Sequence, residues 1–253
     1  MGNRAPTDIS ENLIMITGAA SGIGRRSAIT FAHRGAIVAA CDKDMSGLSL
    51  LKKEIGLENL HIFEIDMVND ESITKCVQAI EESLGPLHGL MNCAGIVGEN
   101  GKRTENVDVE DFDFVYRVNL RGALVLTRTV IKGMAERKYG RILHLASMAG
   151  KEGAPLMLAY AATKAGLIGL VKTVGKEYAG TGVTVNALAP AMVTGPMTSK
   201  FSETQFEFLK AKIPMGRLGE PEEVAELSAW ILSPACTFTT GFTFDLSGGR
   251  ATY

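Results

Sequence analysis

Short, nearly unbroken apolar runs recur along this chain at Leu13–Thr17, Ala36–Cys41, Leu60–Ile65, Gly89–Asn92, Arg141–Leu145, Val183–Leu188 and Thr243–Leu246. They lack the apolar–polar alternation of a strand with one wet face, so they read as strands buried on both sides. Between them lie stretches with helical spacing of apolar positions: Gly22–Arg34, Ser46–Ile55, Asp70–Leu84, Val109–Lys138, Leu156–Ala179 and Pro221–Leu232. Strands that alternate with helices are joined by right-handed crossovers into a parallel sheet covered on both faces. The expected class is α/β. No repeat, low-complexity tract or Pro/Gly linker divides the chain, so residues 1–253 are expected to form one domain.

Two stretches break the rhythm. Val97–Asn106 is polar and carries glycine, and Ala191–Gln205 follows a proline without clear periodicity. Both follow expected strands. Ligands of open α/β sheets sit beyond the carboxyl ends of the strands, so both stretches are expected on a pocket rim.

Composition narrows the partners. Hydrophobic residues at 46% and charged residues at 21% suit a globule with a sizeable core. A net charge of −2 offers no basic footprint for nucleic acid. The longest apolar runs, such as Leu13–Ile16 and Ala36–Ala40, are far too short to cross a bilayer. Met1–Glu11 is polar and lacks the apolar centre of a secretory signal. Cys41, Cys76, Cys93 and Cys236 are scattered without paired spacing, which argues against a metal site or a disulfide framework and suits a reducing compartment. Each reads as a small buried apolar residue. The expectation is a cytoplasmic protein that works on a small molecule, with no metal, nucleic acid or membrane partner.

The segment Thr17-Gly18-Ala19-Ala20-Ser21-Gly22-Ile23-Gly24 lies between the first strand and the first helix. Glycines there permit a tight turn, close approach of a pyrophosphate and close helix–strand packing. The helix N-terminus adds unpaired N–H groups and a partial positive charge for the phosphates. The second strand ends at Asp42, eighteen residues past Gly24. A carboxylate there accepts hydrogen bonds from an adenosine ribose and repels a 2′-phosphate of about −1.5 to −2 charge. Ser21 stands in the glycine loop where an arginine would offset that repulsion. The reading is NAD rather than NADP, with Lys43 as the one cation able to turn inward. Capping a turn is the structural alternative for Asp42.

Tyr160 and Lys164 stand four apart on a helical segment and so share a face. A free phenol, with a pKa of about 10, is a poor base near neutrality. An ammonium about 4 Å away favours the phenolate by roughly 4 kcal/mol at an effective dielectric of about 20. That is about three pKa units before desolvation is counted, enough to bring the phenol into the range for proton transfer. Ser147, thirteen residues before Tyr160 at the end of a strand, offers a hydroxyl to hold the substrate oxygen. Asn119 interrupts a helical stretch, and a buried amide there requires a specific partner.

Taken in order, the motif Thr17–Gly24, Asp66, Asn92-Cys93-Ala94-Gly95, Asn119, Ser147, Tyr160 and Lys164 resemble the short-chain dehydrogenase/reductase family over almost the whole chain. The resemblance implies a Rossmann-type, doubly wound sheet of seven parallel strands in three α/β/α layers, and a homotetramer. It implies Tyr160 as proton donor or acceptor, Ser147 polarising the substrate oxygen, Lys164 on the nicotinamide ribose, and Asn119 holding a water of a proton relay. Gly18, Ser21, Gly22, Ile23 and Gly24 would meet the cofactor phosphates, Asp66 and Met67 the adenine, and Asn92, Ala94 and Gly95 the ribose and the sheet. Pro190, Val193 and Thr194 would lie by the nicotinamide, with Thr194 on its carboxamide. Three residues depart from the family pattern: Cys93 in place of a second asparagine, Met67 in place of valine, and Ala191 in place of glycine.

Substrate signals are weaker. The rim stretches Val97–Asn106, Met148–Met157 and Met192–Lys212 carry Lys102, Arg103, Lys151 and Glu152 among apolar residues, which suits a small polar substrate. Ser147–Gly153 and Ser247–Tyr253 resemble family members that act on sugars and sugar acids, in particular 2-keto-3-deoxy aldonates. The alternatives are an NADPH-dependent 3-oxoacyl-thioester reductase and a non-enzymatic NAD-sensing Rossmann protein, which would not need the tyrosine–lysine pair.

Overall fold

All five residues of β1 (Leu13–Thr17) are buried, and they divide by parity. Leu13 and Met15 enter one apolar cluster, while Ile14 and Ile16 enter another. Successive strand side chains point to opposite faces, so a strand with no polar face needs cover on both sides. Each fully buried Leu or Ile contributes about 1.5–3 kcal/mol relative to exposure, which ties strand position to helix cover.

The computed structural model describes residues 7–251 and 253; residues 1–6, part of the polar N-terminal segment, and Thr252 lie outside the described residues. After β1 come α1 (Gly22–His33), β2 (Ile37–Asp42), α2 (Met45–Ile55), β3 (Leu60–Glu64), α3 (Asp70–Leu84) and β4 (Gly89–Asn92). Then follow α4 (Val109–Tyr116), α5 (Gly122–Glu136), β5 (Gly140–Leu145), α6 (Met148–Glu152) and α7 (Leu158–Glu177). The described chain continues with β6 (Val183–Pro190), α8 (Glu203–Lys210), α9 (Pro221–Ile231) and β7 (Thr243–Leu246). The seven strands form one parallel sheet in the order β3-β2-β1-β4-β5-β6-β7. One face packs on α3, α5 and α7 through residues such as Ile73, Leu126 and Val171. The other packs on α1, α2 and α9 through Phe31, Leu48 and Val224. This is the Rossmann-type three-layer arrangement expected from the resemblance. The strand order reverses between β1 and β4, which opens a crevice at their carboxyl ends.

The helical run expected over Val109–Lys138 is present but is not uniform. Between α4 and α5 the backbone widens into a π-helical turn at Arg117–Arg121, and Asn119 lies within it. Such bulges concentrate at functional sites because the wide turn re-aims a side chain. The helix expected from Leu156 starts two residues later, since Leu156 has φ 68°, a left-handed conformation outside the helical region. Two short helices escape the periodicity argument. The five-residue α6 is too brief to show a period, and α8, inside the supposed irregular rim, has no buried residue to mark a face. Packing of α3 against β2 also brings the sequence-distant Cys41 and Cys76 to 3.9 Å, as buried free thiols. Among the described residues no helix is long and apolar enough to cross a membrane.

Candidate active site

A cleft of about 400 Å³ opens at the carboxyl ends of β1 to β6. Gly18, Ser21, Gly22, Ile23 and Gly24 line it after β1, Asp42 at the end of β2, and Asp66 and Met67 after β3. Ala94 and Gly95 line it after β4, Ser147 after β5, Tyr160 and Lys164 from α7, and Pro190, Val193 and Thr194 after β6. Of the residues expected at the site, Asn92 and Asn119 are not in this lining.

The glycine loop is held by close backbone contact. A Cβ on Gly24 would lie 2.2 Å from the Gly18 carbonyl oxygen, so no larger residue fits the present turn. Ser21, the N-cap of α1, makes no side-chain cap bond, and the first turn of the helix has no acidic residue. Its free N–H groups and positive end therefore face the cleft uncompensated, which fits a bound pyrophosphate. Asp42 accepts from the Ala20 N–H at 3.1 Å and from the Asp44 N–H at 3.1 Å. The carboxylate thus caps a turn and pins the glycine loop, the structural alternative read from sequence, while also lining the cleft. Lys43 lines the same end. Asp66 is likewise tied locally, accepting from the Val68 N–H at 3.1 Å.

At the other end, Ser147 caps α6 by accepting from the Ala149 N–H at 3.1 Å. It also lies close enough to the Tyr160 phenol to draw its pKa downward. Lys164 is 4% exposed, donates to the Leu145 carbonyl, and stands 5.7 Å from the centre of the Tyr160 ring. A Cβ on Gly95 would lie 3.3 Å from both Lys164 Nζ and Asn119 Oδ1, so glycine is what lets the loop after β4 approach these two side chains. Asn119 accepts from the Ile96 N–H and donates to the Ile96 carbonyl, both at 2.8 Å, and donates to Thr163 Oγ1 at 3.2 Å. Its amide pins the loop after β4 to the π turn, one shell behind the cleft wall.

The electrostatics correct one expectation. Burial raises the Tyr160 phenol above its usual value, with Ser147 opposing that rise. Burial also lowers Lys164 to about 8. The expected downward pull of Lys164 on the phenol does not prevail in this site. Desolvation penalises the phenolate and the ammonium alike, and the ammonium is aimed at a carbonyl rather than at the phenol oxygen. Near neutral pH the phenol therefore keeps its proton.

Asn92 serves the sheet rather than the cleft, within a relay that sequence reasoning missed. The Ala94 N–H donates to Thr17 Oγ1 at 3.2 Å, and Thr17 donates to Asn92 Oδ1 at 2.6 Å. Asn92 Nδ2 lies 3.1 Å from His144 Nδ1, His144 Nε2 lies 3.0 Å from Thr127 Oγ1, and Thr127 donates to the Ala123 carbonyl at 2.7 Å. Thr127 has only one proton, and the Asn92 amide nitrogen has no lone pair to offer. These directions assign His144 as the neutral tautomer with hydrogen on Nε2. Burial pushes its pKa down to about 3, and the Lys164 charge acts in the same direction. A sequence signal existed, a histidine set between Leu143 and Leu145 in a buried strand, but only the sheet shows what it meets.

The charged rim residues singled out from sequence, Lys102, Arg103, Lys151 and Glu152, do not line the cleft. Lys102 pairs with Glu99, Lys151 with Asp245 and Glu152 with Arg250. Thr194, expected to hold a carboxamide, donates its hydroxyl to Glu220 at 2.6 Å. Phe114 and Val118 line the cleft unforeseen and join Met157, Phe201 and Leu209 of the expected rim stretches in a largely apolar wall; Arg250, from the C-terminal stretch read only as a substrate signal, lines it too. Among the described residues no group of three or more His, Cys, Asp or Glu side chains is placed to hold a metal ion.

Residues 18–251 match the family model described as Enoyl-(Acyl carrier protein) reductase. The chain is 39% identical over 239 residues to 2-dehydro-3-deoxy-L-rhamnonate dehydrogenase (NAD(+)) of Sphingomonas sp. strain SKA58, covering 94% of this chain and 95% of that protein. It is 37% identical over 237 residues to the 3-oxoacyl-acyl-carrier-protein reductase FabG of Thermotoga maritima, covering 93% and 96%. The crystal structure of gox2181 superposes with a TM-score of 0.92 at 27% identity, covering 97% of each chain. Fold, cleft and relatives agree over nearly the full length, and the chain belongs to the short-chain dehydrogenase/reductase family, oxidoreductases that act on CH–OH groups.

Proposed function

We propose that this protein is an NAD(H)-dependent oxidoreductase that interconverts a secondary alcohol and a ketone on a small polar substrate, a sugar or a 2-keto-3-deoxy sugar acid. The observation that carries the reading is that Ser147, Tyr160 and the buried Lys164 line one cleft together with the glycine loop. The bound nicotinamide supplies or accepts the hydride. In reduction, the Tyr160 phenol gives its proton to the ketone oxygen while Ser147 donates a hydrogen bond to that oxygen. In oxidation the phenolate takes the proton back. Lys164 holds the ribose and stabilises the phenolate as it forms, and Asn119 holds the π turn and a relay water behind it. Residues 1–253 act as one cofactor-binding and catalytic domain. It works in the cytoplasm as a homotetramer, with the long α5 and α7 available for subunit packing; light scattering tests the assembly.

Asp42 at the adenosine end and the lack of an arginine in the glycine loop support NAD. Exchange of Asp42 for Asn keeps an acceptor for the Ala20 N–H and removes the charge. The preference for NAD over NADP, measured as the ratio of kcat/KM values, is expected to fall about 10- to 100-fold, because the repulsion of a 2′-phosphate is lost. An unchanged ratio assigns the choice to another group. Resemblance to the Sphingomonas enzyme supports the sugar-acid reading. The test is a spectrophotometric screen of sugar acids, polyols and hydroxy acids with NAD; turnover confined to 3-oxoacyl thioesters sinks it.

A second reading, an NADPH-dependent 3-oxoacyl-thioester reductase, is favoured by the apolar wall and by Lys43 beside Asp42. Resemblance to the Thermotoga enzyme is its other support. The same screen, run with both cofactors, separates the two.

A further inference from the structure

Arg250 lines the cleft, yet the proton and hydride chemistry leaves it without a task. The sheet order sets where it lies. Arg250 follows β7, which neighbours β6 and then β5, whereas Asp42 and Asp66 follow β2 and β3 at the opposite edge. Arg250 therefore belongs to the half of the cleft that holds Ser147 and Tyr160, not to the adenosine half.

Its partner confirms the placement. Nε and Nη2 of Arg250 both donate to the single oxygen Oε2 of Glu152, at 2.9 and 2.8 Å. Glu152 ends α6, the helix that Ser147 caps, and five residues at about 1.5 Å rise put it roughly 7.5 Å along the axis from Ser147. The two side chains are 7% and 24% exposed. A guanidinium so enclosed needs a counter-charge, and Glu152 supplies one before any ligand arrives. The pairing occupies one edge of the guanidinium. Its Nη1–Nη2 edge retains N–H donors in the planar fork that matches a carboxylate. Of the other cations of the lining, Lys43 follows β2 at the opposite end, and Lys164 donates to the Leu145 carbonyl. The lining contributed to this half of the cleft after β5 and β6 includes the apolar Met148, Ala154, Met157 and Met192.

We propose that Arg250, held by Glu152, is the residue that selects a substrate carboxylate, and that the substrate is an oxo or hydroxy acid with an apolar, deoxygenated far end. The proposal rests on the oxidoreductase reading above and narrows its substrate class. A carboxylate on the Arg250 fork places the oxygenated carbon toward Ser147 and Tyr160 and leaves the far end against the methionines. A charged, bidentate contact in an enclosed site discriminates strongly against a neutral isostere.

The test uses NADH-dependent reduction of 3-oxobutanoate, 4-oxopentanoate and 5-oxohexanoate, each beside its methyl ester. The wild-type protein is expected to favour at least one acid over its ester by roughly 10- to 100-fold in kcat/KM. Arg250→Gln is expected to collapse that preference toward unity, and Arg250→Lys to restore part of it by returning the charge without the fork. Esters reduced as well as every acid by the wild-type protein overturn the proposal without any variant having to fold. A preference unchanged in Arg250→Gln overturns it too. Ester turnover without acid preference sinks only this inference, whereas no turnover on any ketone with either cofactor sinks the oxidoreductase reading with it.

Discussion

Replacing Tyr160 by phenylalanine is expected to slow hydride transfer about 10²- to 10⁴-fold, the range in which a positioned acid–base group contributes. The change removes one hydroxyl and keeps the ring, so the packing of α7 against the cleft is preserved. Stopped-flow turnover and a fluorescence titration of NADH, done on the same preparation, separate chemistry from binding. Cofactor affinity should stay nearly constant. Equal loss of turnover and affinity would show that Tyr160 only shapes the cofactor pocket. The pH profile carries a second signature. Burial holds the phenol above its usual pKa, so the protonated form needed for ketone reduction is present at neutral pH. Alcohol oxidation needs the phenolate, so its kcat/KM in the wild-type protein should climb as pH rises through the alkaline range.

Acid should weaken this fold earlier than its carboxylates alone require, and His144 is the reason. Its folded pKa is lowered to about 3 from the usual 6.5, so between these values the unfolded chain binds a proton that the folded chain refuses. Stability rises with pH wherever the unfolded state binds more protons, so the His144 contribution is complete above pH 6.5 and is lost as pH falls toward 3. One proton is worth about 1.4 kcal/mol per pH unit, or roughly 2.7 kcal/mol between pH 6.5 and 4.5. Asp70, Glu71 and Glu223 are also depressed, by Arg121, Lys75 and Arg217 respectively, but an unfolded carboxylate takes up its proton mainly at and below the acid end of the range from pH 6.5 to 4.5. Urea melts at pH 6.5, 5.5 and 4.5 measure the slope. His144→Asn should start less stable, because it shortens a side chain bonded to both Asn92 and Thr127, and should show a flatter slope across the window. A variant with the wild-type slope would move the acid sensitivity to another group. His61 is the alternative, lowered by burial and by Lys52, and it is only partly covered.

What makes His144 refuse a proton also explains why its role was hidden. Along the chain it is one histidine in Gly140–Leu145, and nothing nearby in sequence is its partner. Asn92 and Thr127 reach it only because β4 lies beside β5 and α5 packs on the same face. Arg250 is a similar case. Its neighbours in sequence mark a turn, and its place in the cleft depends on β7 joining the sheet edge next to β6. The four rim charges read from sequence failed in the opposite direction: none lines the cleft, and three of them, Lys102, Lys151 and Glu152, are taken up in ion pairs with Glu99, Asp245 and Arg250.

Local chemistry determined a good deal without help. Buried-strand runs alternating with helical spacing were enough for a parallel three-layer sheet, because a strand without a polar face has no other stable setting. A glycine turn between strand and helix, and a tyrosine four residues before a lysine, were enough to mark both ends of the cleft, since each depends on backbone geometry within one or two elements. Only the tertiary structure decided the charge state of the Tyr160 phenol, the hydrogen-bond partners of Asn92 and Asn119, and the place of Arg250 in the cleft. Those properties depend on desolvation and on partners dozens of residues away, and neither is a property of any short stretch of chain.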